Sequence, residues 1–186
     1  MADHRTRWLT DASSVASRTG DVPALPALVA LTLVVGAFMR RLRLGAFLLT
    51  AILIEVTLYR IGALAVPRQR PDVQRLDLLP VDESFPSGHV AASVVVYLGL
   101  ALLVTAHSQR RWVAVLSWSV GIVLVLAVAL SRIYRGMHHP LDTLAGALLG
   151  AGCLIVAVIA VRVFGVAQRR RAAGNVTPRG LRKDVT

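Results

Sequence analysis

Two histidines, set among arginine, serine and aspartate, define the chemistry open to this chain. The polar residues gather in three short segments. Arg68, Gln69, Arg70 and Pro71 form the first, Ser84 to His89 the second, and Ser131 to Asp142 the third. Arginine presents forked donors that match phosphate oxygens. Pro86 suits the first turn of a helix, which would leave free N–H groups at Ser87, Gly88 and His89 to hold an anion, assisted by the helix dipole. Gly88 permits close approach of a ligand to the backbone. His89 and His138 offer a nucleophile and a proton donor. Asp142 follows His138 by four residues, a spacing at which it can accept a hydrogen bond from one ring nitrogen and leave the other lone pair to a substrate. These residue types describe phosphoryl transfer with no dedicated metal site and no cofactor.

Elements must bring the three segments together. Of 186 residues, 55% are hydrophobic and 17% charged, with a mean hydropathy of +0.64. A soluble domain carries about a quarter of its residues charged, and disorder requires low hydrophobicity, so both classes are disfavoured. A spanning helix needs about 20 mostly apolar residues. Five runs qualify, over Val22–Met39, Leu44–Val66, Gly88–Ala106, Trp112–Leu130 and Leu141–Phe164. The expected fold is all-α, a polytopic transmembrane bundle of about five helices over residues 22–166. Residues 1–21 are read as an interfacial helix or an unstructured polar segment, and 167–186 as a basic tail. Five helices of alternating direction place all three polar segments at one membrane interface. The single cysteine, Cys153, lies in an apolar run and suits packing.

The net charge of +11 first suggests an anionic partner. Arg40, Arg41, Arg43, Arg110, Arg111 and the arginines beyond residue 167, with Lys183, fall on one side of the alternating topology. The excess of cations marks that side as cytoplasmic, so the polar segments face the extracytoplasmic side of a cell membrane. Nucleic acid is disfavoured because the cations lie in membrane-bounded loops. The expected partners are membrane lipids and a lipid phosphate.

At these residues the chain resembles the phosphatidic acid phosphatase type 2 superfamily, the integral-membrane lipid phosphate phosphatases. Pro86-Ser87-Gly88-His89 reproduces one family motif, and Ser131, Arg132, His138 and Asp142 reproduce another at its proper spacing. The resemblance covers about residues 45 to 165. It implies that His138 attacks phosphorus to form a phosphohistidine and that Asp142 orients it. It implies further that His89 protonates the leaving oxygen and later activates water. Arg70, Arg132, Ser87 and Gly88 would hold the phosphate. The remaining motif is incomplete: Arg70 and Pro71 are present, but Ala63 stands where the family has lysine. Arg68 is expected to substitute, in preference to Arg60, because helical side chains lean toward the N-terminus and carry Arg60 away from the site. The lost lysine also admits a second reading, a catalytically impaired relative that carries lipid phosphates.

Three further features invite a reading. Glu55 falls mid-helix, where an ionisable group usually faces the protein interior, either protonated or paired with an arginine such as Arg60. Arg75 and Asp77 read as solvated loop charges, with the shaping of head-group preference as the alternative. Gly146 and Gly150 read as a close-packing face within the bundle, with a dimer face as the alternative.

Overall fold

The computed structural model describes residues 5–21, 23–77 and 83–174, with side chains up to residue 163. Its helices are α1 (Arg7–Thr19), α2 (Ala24–Phe38), α3 (Leu42–Ala65), α4 (Gly88–His107), α5 (Arg111–Tyr134) and α6 (Pro140–Gly174). Among the described residues, five stretches are long and apolar enough to cross a membrane. The first is counted over Arg7–Phe38, and within it only α2 is free of charge. The other four are α3, α4, α5 and the Pro140–Val163 portion of α6. The outer surface is apolar, with Leu53, Leu64, Val123 and Leu148 exposed. That pattern is costly in water and ordinary against lipid. The expected bundle is therefore present, with helix ends shifted by a few residues.

The helix at the centre is α4. Val90, Val95 and Val96 are fully buried, packed among α3, α5 and α6. Within it, Val94–Leu98 forms a π-helical turn flanked by α-helix on both sides. Glycines set how closely the neighbours approach. A methyl group on Gly150 of α6 would stand 2.5 Å from the Ala91 carbonyl oxygen and 2.8 Å from Val94 Cβ. One on Gly146 would press into the Ser87 carbonyl. The Gly146/Gly150 face thus packs α6 onto α4, inside the bundle.

Between α2 and α3 the chain reverses tightly. The Arg41 N–H bonds the Gly36 carbonyl at 2.6 Å, and Arg40 takes the left-handed conformation that often ends a helix (φ 54°). Between α3 and α4 a longer connection is pinned at its two ends. Gln69 and Glu83 form an antiparallel bridge, and the Ser84 N–H bonds the Arg68 carbonyl at 2.7 Å. This pairing carries Arg68 and Arg70 to the start of α4.

The N-terminal segment, for which the sequence leaves two readings open, is helical. One face of α1 packs on α5, burying Ser13 and Ser17, while Trp8 and Val15 are exposed beside Arg7, Asp11 and Arg18. Apolar and charged flanks on one short helix suit a membrane interface. Residues 175–186, with Arg179, Arg182 and Lys183, lie outside the described residues. So does His4, and the side chains of Arg169, Arg170 and Arg171 are likewise outside.

Candidate active site

The end of α3, the start of α4, the end of α5 and the start of α6 meet at one end of the bundle, and the three polar segments meet there. His138, Arg132, Arg70, Ser87 and Asp142 are all buried, and His89 is partly so.

His138 lies in the turn between α5 and α6, just past Gly136, whose φ of +72° is a conformation glycine adopts without strain. Its Nδ1 is 2.7 Å from the Ser84 carbonyl oxygen. A carbonyl can only accept, so Nδ1 carries the hydrogen and Nε2 keeps its lone pair. The spacing argument gave this orienting role to Asp142; the structure gives it to the Ser84 backbone. Burial pushes the His138 pKa down to about 3, reinforced by the positive charges of Arg132 and Arg70 and opposed by the hydrogen bond to Ser84. The imidazole is neutral at ordinary pH, the state a nucleophile requires.

Asp142 organises the backbone around the histidine. Its carboxylate accepts from Ser84 Oγ at 2.5 Å, from the His139 N–H at 2.9 Å and from Arg68 Nη1 at 2.9 Å. Its carbonyl accepts the Ser87 N–H at 3.0 Å. Asp142 therefore acts on His138 at one remove, by fixing the serine whose carbonyl holds Nδ1. The Ser87 bond also corrects an expectation: this N–H is committed to α6. Ser87 is the N-cap, Pro86 precedes it, and the helix starts at Gly88. Gly88 and His89, in the first helical turn, keep N–H groups that no intrahelical carbonyl can accept.

Arg68 reaches the site through its ion pair with Asp142. Arg60 is exposed on α3. It forms no ion pair with the buried Glu55 among the described residues. Glu55 instead shares a face of α3 with Phe47, Leu48 and Ala51 in the packed interior.

Arg70 donates to the Met137 carbonyl at 2.7 Å. Arg132 is 1% exposed, and its Nη1 donates to Ser17 Oγ at 2.8 Å and Asp77 Oδ2 at 3.0 Å. Its Nε and Nη2, with Ser87 Oγ, are buried without a hydrogen-bond partner among the described residues. Buried donors are rarely left so, and these are donors that phosphate oxygens satisfy. Asp77, read from sequence as a solvated charge, is a structural anion. Arg135 grips it through Nε at 2.8 Å and Nη2 at 2.6 Å. The hydrogen bond from Arg135 holds the Asp77 carboxyl below the usual range, and the same bond raises Arg135.

The least expected contact involves His89. Its Nε2 is 2.8 Å from Asp21 Oδ1, in the turn between α1 and α2. Asp21, Ser17 and Ser13 were missed because serine and aspartate in a polar N-terminal segment resemble solvated residues. Their spacing of four, along one helix face, was the available signal.

Residues 42–165 match the PAP2 superfamily, and the chain belongs to that family. Among its relatives is the undecaprenyl-diphosphatase of Sulfolobus acidocaldarius, 33% identical over 119 residues, which are 61% of this chain and 53% of the relative. The chain thus spans about half the length of that protein. Two solved structures share the fold. The PAP2-type phosphatidylglycerolphosphate phosphatase of Bacillus subtilis has a TM-score of 0.74 at 23% identity, over 89% of this chain and 81% of that one. LpxE of Aquifex aeolicus has a TM-score of 0.67 at 24% identity, over 84% and 89%.

Proposed function

We propose that this protein is an integral-membrane phosphatase that removes a phosphate from a lipid phosphomonoester or diphosphate through a phosphohistidine. The observation that carries this reading is the state of His138. It is neutral, has its Nδ1–H held by Ser84, and lies in the field of Arg132 and Arg70.

In the first step His138 Nε2 attacks phosphorus, the bond from phosphorus to the leaving oxygen breaks, and His89 gives that oxygen a proton. In the second, His89 takes a proton from water as the water oxygen attacks the phosphohistidine. Inorganic phosphate leaves and His138 returns neutral. Arg132, Arg70, Ser87 and the N–H groups at the start of α4 stabilise the charge on the phosphoryl oxygens, in the manner of preorganised donors. Arg68 steadies Asp142 and lies close enough to add a positive charge in place of the lysine that Ala63 replaces.

A site at the end of a membrane bundle meets a head group while the tail stays in lipid. The relative from Sulfolobus makes a polyprenyl diphosphate the substrate to try first, ahead of phosphatidylglycerophosphate and phosphatidate. The active face is extracytoplasmic and the C-terminus cytoplasmic, by the distribution of cations.

The test is phosphate release by the purified full chain in mixed micelles against a panel of these three lipids, with acid-labile phosphohistidine trapped by rapid quench. Near-normal turnover by His138→Ala would refute the nucleophile assignment. Lipid binding without release would favour the carrier reading.

A further inference from the structure

Three residues of the N-terminal segment, spaced four apart, touch three residues of the site. Ser13 Oγ accepts from Arg135 Nη1 at 3.1 Å, Ser17 Oγ accepts from Arg132 Nη1 at 2.8 Å, and Asp21 Oδ1 meets His89 Nε2 at 2.8 Å. Side chains four apart share a helix face, and here the face continues past the end of α1. All three lie before residue 42, where the family match begins.

We propose that Asp21 is a positioning residue for His89: its carboxylate holds Nε2–H and thereby turns Nδ1 toward the leaving oxygen of the substrate. A carboxylate has no hydrogen to give, so the proton in this contact belongs to His89 Nε2. Once His89 is protonated, the proton free for transfer is the one on Nδ1. After transfer, Nδ1 holds the lone pair that takes a proton from water in the second step. One ring orientation thus serves both half-reactions.

The backbone holds Asp21 where this requires it. Its carbonyl accepts the N–H groups of Ala24 and Leu25 at 3.1 and 3.3 Å, opening α2, and its own N–H bonds Arg18 O at 3.3 Å, closing α1. One residue earlier, Gly20 lies so close to its neighbours that a methyl group there would be 2.8 Å from Val128 Cγ1 and 3.1 Å from Ser93 Oγ. Beside it, Tyr97 Oη of α4 donates to the Thr19 carbonyl at 2.7 Å. The end of α1 is therefore clamped to α4 and α5, the helices that carry His89 and Arg132. Among the described residues, the other charged and titratable groups around His89 are Arg132 from α5, Asp77 from the α3–α4 connection and His138 from the α5–α6 turn. Asp77 is taken up by two arginines, and among the described residues Asp21 is the carboxylate in hydrogen-bond contact with the ring.

This inference rests on His89 as proton donor, and the test separates the two ideas by leaving-group dependence. An alkoxide leaving group needs a proton and a nitrophenolate does not. The values of kcat/KM report the first step, so they are compared for dodecyl phosphate and 4-nitrophenyl phosphate with the full chain in mixed micelles. For Asp21→Asn the ratio of alkyl to aryl kcat/KM should fall about tenfold or more, and His89→Ala should lower it in the same direction. Asp21→Glu, which keeps the carboxylate, should recover most of the ratio. An equal fall on both substrates would mean that Asp21 only holds the fold together, and the proposal fails. An unchanged ratio in Asp21→Asn alongside a lowered one in His89→Ala overturns the role of Asp21 and leaves His89 in place. An unchanged ratio in His89→Ala removes the proton donor and the proposal with it.

Discussion

Replacing Gly146 by alanine should cost most of the activity without removing a single functional group. Gly146 lies one helical turn after Asp142 on α6, against the carbonyl of Ser87, the N-cap of α4. The added methyl would fall roughly 1 Å short of the ~3.5 Å at which carbon and its neighbours pack best. It meets backbone, which has no rotamer to change. The Ser87 N–H is already tied to the Asp142 carbonyl at 3.0 Å, so relief comes by moving the start of α4, with Ser87, Gly88 and His89, away from His138. A displacement of about 1 Å at reacting groups costs on the order of a hundredfold in rate, or about 2.7 kcal/mol of barrier. Gly152→Ala, on the same helix, is the control, because a methyl there meets nothing within 4 Å. It should be as active as wild type and slightly more stable, since alanine favours a helix over glycine by about 1 kcal/mol. The assay is phosphate release from the lipid substrate, paired with thermal unfolding by tryptophan fluorescence. If Gly146→Ala retains kcat/KM within about threefold of wild type with an unchanged unfolding midpoint, the docking of α4 on α6 does not set the geometry of the site.

Other outcomes follow from the same contacts. Arg68→Ala should lower kcat/KM on the order of tenfold to a hundredfold at unchanged expression, because it strips the partner from the buried carboxylate of Asp142; an unaffected rate would remove Arg68 from the site. For His138 the folded pKa is depressed to about 3 from 6.5, so the neutral form is complete above that range and is lost only as pH falls toward it. Histidine-labelled nitrogen NMR of the free protein should show an Nδ1–H tautomer with no titration between about pH 5 and 8, and a midpoint near 6.5 would contradict the burial argument. Because arginines and helix N–H groups supply the positive field, turnover should persist in EDTA and be inhibited by orthovanadate; loss of activity on chelation would refute a metal-independent reaction.

Much of this arrangement is legible in the residues alone. Apolar runs separated by charged turns announce the helices, and their alternation brings His89, Arg70, Arg132, His138 and Asp142 to one end. Where the reading fell short, the deciding contact was either to a backbone atom or between segments distant in the sequence. The acceptor that orients His138 is a backbone carbonyl, which every residue possesses, so Ser84 could not be chosen over the carboxylate of Asp142. Asp77 looked solvated because its partners, Arg132 and Arg135, lie more than fifty positions away. The N-terminal segment was open to two readings, interfacial or unstructured, because Ser13, Ser17 and Asp21 acquire their meaning only when α1 is laid against α5. The incomplete motif at Ala63 was legible as a gap, and the ion pair of Arg68 with Asp142 was not.

The π turn at Val94–Leu98 gives the central helix a built-in screw offset. A π turn takes in one residue more than an α turn, so the half of α4 bearing His89 is rotated by about 100° against a continuous α-helix drawn from its other half. Deleting one valine from this stretch would let α4 run as uninterrupted α-helix with His89 still facing the site, because the lost residue removes the ~100° that the π turn absorbs; forcing the stretch into α-helix with every residue kept would swing His89 about a quarter-turn away. The π turn thus takes up one residue and keeps two faces of one rod in phase, one cut to fit the bundle interior and the other to aim an imidazole.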